Sequence, residues 1–252
     1  MTDNQASEVG SVPRRAAPPP ALSSGQRRAL GGLVVRQECW RVSWGGKLLL
    51  LALGIGVAVV GMRTIHPFLA TTRRSGGNLL LVEGWIASYT MAQVADEFRR
   101  GRYEQVLVMR AVDDSLGDKY ESGRYVGEYM ANSLIRCGVP AERVNSVFCP
   151  VSRKDRTFHS ALAAKQWLAQ RGISVNSMDV ATLGPHARRS RLLCEKAFGR
   201  DVKVGIIALE DRAYDPSHWW RSSEGVREVL GEAIAYGYVR IFFHPPPASQ
   251  AR

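Results

Sequence analysis

The sequence predicts a three-layer α/β sandwich with a mostly parallel sheet of about five strands, preceded by one transmembrane helix. Three observations carry this. From Asn78 onward, short apolar runs alternate with helical patterns of twelve or more residues, the pattern of parallel strands covered on both faces. An uncharged stretch from Leu48 to Met62 lies upstream. Before it, residues 1–42 are rich in Pro, Ala, Ser, Gly and Arg and can bury little apolar surface.

Taken in order, residues 1–42 are expected to be a disordered basic tail and residues 43–65 a transmembrane helix. The fifteen uncharged residues alone are short for a bilayer, which needs about 20. Extending back to Ser43 supplies the length with one charge, Lys47, which can snorkel to the headgroups. Trp40 and Trp44 sit where an interfacial aromatic belt would lie. A buried globular helix is the rival reading. It fits poorly, because every face is apolar and both flanks are basic. A cleaved signal peptide is a further alternative, but no clean Ala-x-Ala site follows Ala58. Arg28, Arg36, Arg41 and Lys47 precede the uncharged run, whereas Arg63, Arg73 and Arg74 follow it. This bias puts the N-terminus inside a plasma (inner) membrane and the larger domain outward, with a cytoplasmic domain as the alternative.

After a linker at 66–77, residues 78–244 form the domain and 245–252 a tail. Strands are expected at Asn78–Glu83, Gln105–Met109, Arg143–Phe148, Asn176–Thr182 and Lys203–Ala208. Helices are expected at Ala87–Arg100, Tyr120–Arg136, Thr157–Gln170, Ala187–Phe198 and Ser223–Phe243. Gly138, Gly172 and Gly199 stand where helices stop.

Composition excludes several classes. Cys39, Cys137, Cys149 and Cys194 form no CxxC pair and no zinc-ligand spacing, so neither a disulfide scaffold nor a metal site is expected. No GxGxxG, GxSxG, P-loop or HExxH occurs, and the residues name no cofactor. The formal charge of +11 is not gathered into a tract interleaved with aromatics, so nucleic acid is not an expected partner.

Open parallel sheets bind ligands beyond the C-terminal ends of their strands. Glu83 closes an apolar strand there, where a carboxylate needs a partner, a cation or a proton-transfer role. Gly84 allows close approach of backbone or ligand. Arg110 follows the second strand, and Arg156 and Thr157 follow the third. His186 and Arg189, three apart, share one helix face with Arg188 beside them, at a helix start that favours anions. Trp219 can wall the cleft, and Ser222 can contact ligand or cap the last helix. Glu83 and His186 are therefore the candidate catalytic pair. Gly84, Arg110, Arg156, Thr157, Arg188, Arg189, Trp219 and Ser222 are the candidate ligand-binding set. Glu224, Glu228 and Glu232, four apart, read as a solvated stripe.

These residues also resemble the ElyC/SanA/YdcF family of bacterial envelope proteins. The resemblance covers about residues 78–243. It rests on LLLVEGW at 79–85, GVP at 138–140, DRTFHSA at 155–161 and LGPHARRSRLL at 183–193. The family's His-x-x-Arg feature matches His186 and Arg189. Where it usually has an Asn-Thr-x-x-Asn-Ala-like segment, this chain has Arg156-Thr157 and Ser160-Ala161. Glu83-Gly84 replaces the glycine-rich turn of many members. The resemblance implies a Rossmann-like fold and a role in envelope or peptidoglycan assembly. The expected ligand is anionic: a phosphorylated, nucleotide-like or lipid-linked glycan molecule, with hydrolase or transferase chemistry. The alternatives are a non-catalytic module, for example one binding S-adenosylmethionine, and an envelope scaffold or interaction protein.

Overall fold

The computed structural model describes residues 27–29, 34–36, 42–111, 119–149 and 154–245, with backbone alone at 27–29, 34–36, 110–111 and 119–127. The chain divides into two units, Met1–Gly54 and Ile55–Arg252.

In the first unit, β1 (Arg27–Ala29) pairs antiparallel with β2 (Val34–Arg36). These six residues lie within the tail expected at 1–42. Val34 and Val35 favour extended backbone, which a local antiparallel partner can satisfy. Helix α1 (Trp44–Leu69) starts in this unit and ends in the second. It is long and apolar enough to cross a membrane, and its side chains from Lys47 to Thr64 are exposed. It runs four residues past the expected end, through Pro67, because its last turn packs on the domain: Leu69 is fully buried with Tyr214, Trp219 and Val229.

The second unit holds β3 (Leu79–Glu83), β4 (Gln105–Ala111), β5 (Val144–Cys149), β6 (Ser177–Leu183) and β7 (Lys203–Leu209). Between and after them lie α2 (Met91–Arg100), α3 (Lys119–Arg136), α4 (Arg156–Gln170), α5 (Ala187–Phe198) and α6 (Ser223–Ile241). The five strands form one parallel sheet in the order β5-β4-β3-β6-β7. This is the expected Rossmann-like α/β arrangement. The chain moves outward from β3 to β4 and β5, then returns across β3 to β6. The crevice between β3 and β6 is thus the topological switch point, where such sheets place ligands.

Strand periodicity sets the layers. Leu80 and Val82 pack with α2 and α3 through Val94, Phe98 and Leu134. Leu79 and Leu81 pack with α4 and α5 through Phe158, Leu168 and Leu193. Glu83 is next on the second face and ends the strand, so the alternation that builds the core also aims a carboxylate toward α4 and α5.

The segment after α1 covers the outer edge of β7. Arg73 and Ile206 exchange backbone hydrogen bonds at 2.7 and 2.8 Å, and Ser75 N donates to Asp179 Oδ1 at 2.6 Å. Tyr103 also donates to Asp179, at 2.8 Å, so this buried carboxylate is held from two sides. Gly205 makes the crossing possible. A Cβ there would lie 1.8 Å from Asp179 Oδ1 and 2.4 Å from Ser75 N.

Candidate functional site

The ends of β3, β4 and β6 open into a cleft of about 390 Å³. Its floor is Glu83, 3% exposed. Ser190 donates to Oε1 at 3.0 Å, Trp85 Nε1 donates to Oε2 at 3.1 Å, and Thr182 donates to Oε2 in a short contact. Three neutral donors thus offset the desolvation of this carboxylate. Thr182 is in place because Val82 pairs with Ala181 in the sheet, which brings the next residues of both strands level. Ser190 comes from the first turn of α5.

His186 lies in the 3-10 turn linking β6 to α5. Its Nε2 is 3.6 Å from Glu83 Oε2, and its Nδ1 is 2.8 Å from Glu232 Oε1. Trp85 meets the imidazole edge-on, with ring centroids 4.7 Å apart. Arg189 grips the same Glu232 with two nitrogens, Nε on Oε2 at 2.7 Å and Nη2 on Oε1 at 2.9 Å. Burial alone would raise the Glu232 carboxyl, but the hydrogen bonds from Arg189 and His186 outweigh it and hold the group at about 2. Burial likewise opposes the Arg189 charge, and the Glu232 hydrogen bond reverses that and raises its pKa. Arg189 Nη2 also lies 2.9 Å from His186 Nδ1, so this ring nitrogen faces both the carboxylate and the guanidinium. Nε2 is then the ring nitrogen facing Glu83 and the cleft.

The opposite wall is the start of α4. Asp155, Arg156, Thr157 and Ser160 line it. Asp155 has φ 51° and ψ 39°, a left-handed conformation uncommon outside glycine. Asp155 occupies the N-cap position without a side-chain cap hydrogen bond.

The structure thus gathers Glu83, Gly84, Arg156, Thr157, His186 and Arg189 around one cleft. Three expected members are elsewhere. Arg188 turns away: its Nε donates to Phe68 O, and its guanidinium lies 3.9 Å from the Phe68 ring centroid. Neighbours on a helix are about 100° apart, and here Arg189 faces the cleft while Arg188 faces the end of α1. Trp219 is buried against the end of α1, with Nε1 donating to Met62 O at 2.9 Å. Ser222 is the N-cap of α6 and accepts from Gly225 N at 3.1 Å. The side chain of Arg110 lies outside the described residues.

Four groups at the site were not read as site residues from the sequence: Glu232, Glu228, Ser190 and Thr182. Glu232 is buried rather than part of a solvated stripe, and Glu228 lines the cleft. Counting side chains on the lining, four carboxylates (Glu83, Asp155, Glu228, Glu232) stand against two guanidiniums (Arg156, Arg189). Arg189 is already paired with Glu232. Of the four arginines expected to hold an anion, the structure places Arg156 and Arg189 on the cleft lining. No cluster of metal-ligating side chains occurs among the described residues.

Fold and site together describe a Rossmann-like α/β protein with a Glu–His–Glu–Arg constellation at its switch point. Comparison of the chain with models of known families, with curated proteins and with solved structures finds no match.

Proposed function

We propose that the chain is a membrane-anchored envelope-biogenesis factor that binds a lipid-linked, phosphorylated glycan in the Glu83–His186 cleft. The observation carrying this reading is that two proton-exchanging groups, two arginines and a half-exposed tryptophan converge at the switch point of the sheet. The lining charge refines the ligand class. Carboxylates accept hydrogen bonds from sugar hydroxyls, and Trp85 offers an aromatic face at the rim. Arg156 and the positive end of the α4 dipole suit a phosphate. The resemblance to ElyC/SanA/YdcF proteins agrees with this class of ligand. Helix α1 anchors the domain in the inner membrane, N-terminus inside and domain outward, following the basic bias of its flanks.

The chemistry proposed is hydrolysis or transfer. Glu83 takes the proton of an attacking water or hydroxyl, whose oxygen bonds to the reacting phosphorus or anomeric carbon. His186 gives its Nε2 proton to the departing oxygen as that bond breaks. A second reading, a non-catalytic binding module of the kind that holds S-adenosylmethionine, is favoured by one observation: Glu83 already has three hydrogen-bond donors.

Titration of the full chain in detergent with a polyprenyl-phosphate-linked saccharide, and separately with S-adenosylmethionine, tests both. Saturable binding that weakens in Arg156→Ala, with product released by the unaltered chain but not by His186→Gln, supports the enzyme. Binding without product supports the second reading. Absence of binding of both the saccharide and S-adenosylmethionine defeats both. A reporter fused after residue 252 and active only outside the membrane tests the orientation.

A further inference from the structure

Helix α6 carries apolar side chains on two opposite faces. One face, with Val229 and Val239, is buried in the domain. The other bears Leu230, Ile234, Tyr238, Ile241 and Phe242, at 47, 75, 53, 65 and 66% exposure. Spacings of four, four, three and one keep these five within one stripe about 120° wide. The stripe is about 18 Å long from Leu230 to Phe242. An exposed apolar face of this size on a folded domain marks an interaction surface.

Its position identifies the occupant. The last turns of α1 pack along the flank of α6 that holds Val226, Ala233 and Tyr236, and Phe68 meets Tyr236 edge-on at 5.7 Å. Leu230 and Ile234 are one step around the helix from that flank. The exposed apolar surface of α6 therefore continues directly from the helix that is long and apolar enough to cross a bilayer. From Leu230 to its end, α6 has one acid, Glu232, which is buried on the other side, and one further charge, the exposed Arg240. Arg188 over Phe68 adds a second cation beside the anchor. Aromatics and arginines flanking an aliphatic stripe suit the boundary between acyl chains and anionic headgroups.

We infer that α6 lies in the membrane interface, with Leu230, Ile234, Tyr238, Ile241 and Phe242 in contact with lipid. The inference rests on the anchoring role proposed for α1. It gives the cleft a location, because Glu228 and Glu232, which line it, are on the same helix as the stripe. A ligand whose polar head is tethered to a lipid can then reach Glu83 without leaving the bilayer.

Photo-crosslinking of the full chain decides this. p-Benzoylphenylalanine is placed singly at the exposed positions Ile234, Val57 and Gln166, and the protein is reconstituted in phosphatidylethanolamine–phosphatidylglycerol vesicles. Lipid adducts at Val57 and Ile234, and none at Gln166 on α4, are the expected result. A lipid adduct at Val57 with none at Ile234 overturns the inference while leaving the anchor intact. So does an Ile234 adduct to a second copy of the chain. Absence of lipid adducts at Val57 overturns the anchoring role and the inference with it.

Discussion

Arg189 and Glu232 are joined by two hydrogen bonds across the packing of α5 on α6, and the same carboxylate fixes His186. This pair ties the cleft's candidate proton carrier to the helix that packs against the end of α1. Glu232→Ala would leave the Arg189 charge mostly buried without its partner. Loss of one member of a buried pair costs about 3 kcal/mol. Thermal unfolding in detergent should show that loss, and Arg189→Met added to Glu232→Ala should recover part of it. If the double variant is as destabilised as the sum of the two singles, the two residues are not coupled.

Stability should also fall in acid. Glu232 titrates at about 2 in the folded chain, against an ordinary value of 4.5. A carboxyl depressed by folding contributes its full stabilisation above about 4.5 and loses it as pH falls toward about 2. The shift corresponds to about 3 kcal/mol. Melting temperature measured from pH 6 to pH 3 should decline, and Glu232→Gln should decline less steeply over the same range. Parallel curves for the two proteins would show that another group controls the acid response.

Gly205→Ala should destabilise the chain more than an ordinary strand substitution, by about 2 kcal/mol. The added methyl would collide with Asp179 and with the backbone of Ser75, so the segment covering β7 must shift. Hydrogen exchange of the Ile206 amide, which donates to Arg73 O, should then be faster than in the parent. An unchanged melting temperature and an unchanged exchange rate at Ile206 would contradict the close crossing.

Ser222→Ala separates a helix cap from a ligand contact. Loss of an N-cap hydroxyl costs about 1 kcal/mol. Because Ser222 accepts from Gly225 N and is absent from the cleft lining, stability should drop while ligand affinity stays unchanged. A weakened affinity with unchanged stability would return Ser222 to the site.

Much of this architecture is legible before any coordinates. The five strands alternate with helices, the residues ending β3 and β6 face one crevice, and Gly stops mark several helix ends. Glu83, His186 and Arg189 are readable for this reason: each sits next to a strand end whose position is fixed by apolar periodicity. Glu232 is not. Its spacing from Glu224 and Glu228 is that of a solvated face, yet it is also in phase with Val229, Val239 and Phe243. Leu230, Ile234 and Tyr238 place a competing apolar set on the far side of α6. With two apolar faces, periodicity alone cannot say which one turns inward, and only the packing of α6 on α5 decides. Arg188 and Arg189 show the same limit at single-residue scale. Both are basic and adjacent, and the presence of Phe68 from α1 draws one of them away.

The backbone exchange between Arg73 and Ile206 has a consequence for how copies of this chain can associate. Exposed sheet borders invite foreign strands, and proteins guard them. Here the polypeptide guards one border with its own connector, so lengthening of the sheet by a neighbouring molecule is blocked beside β7. Among the described residues, no connector pairs with the opposite border, β5, and strand-by-strand association is directed there.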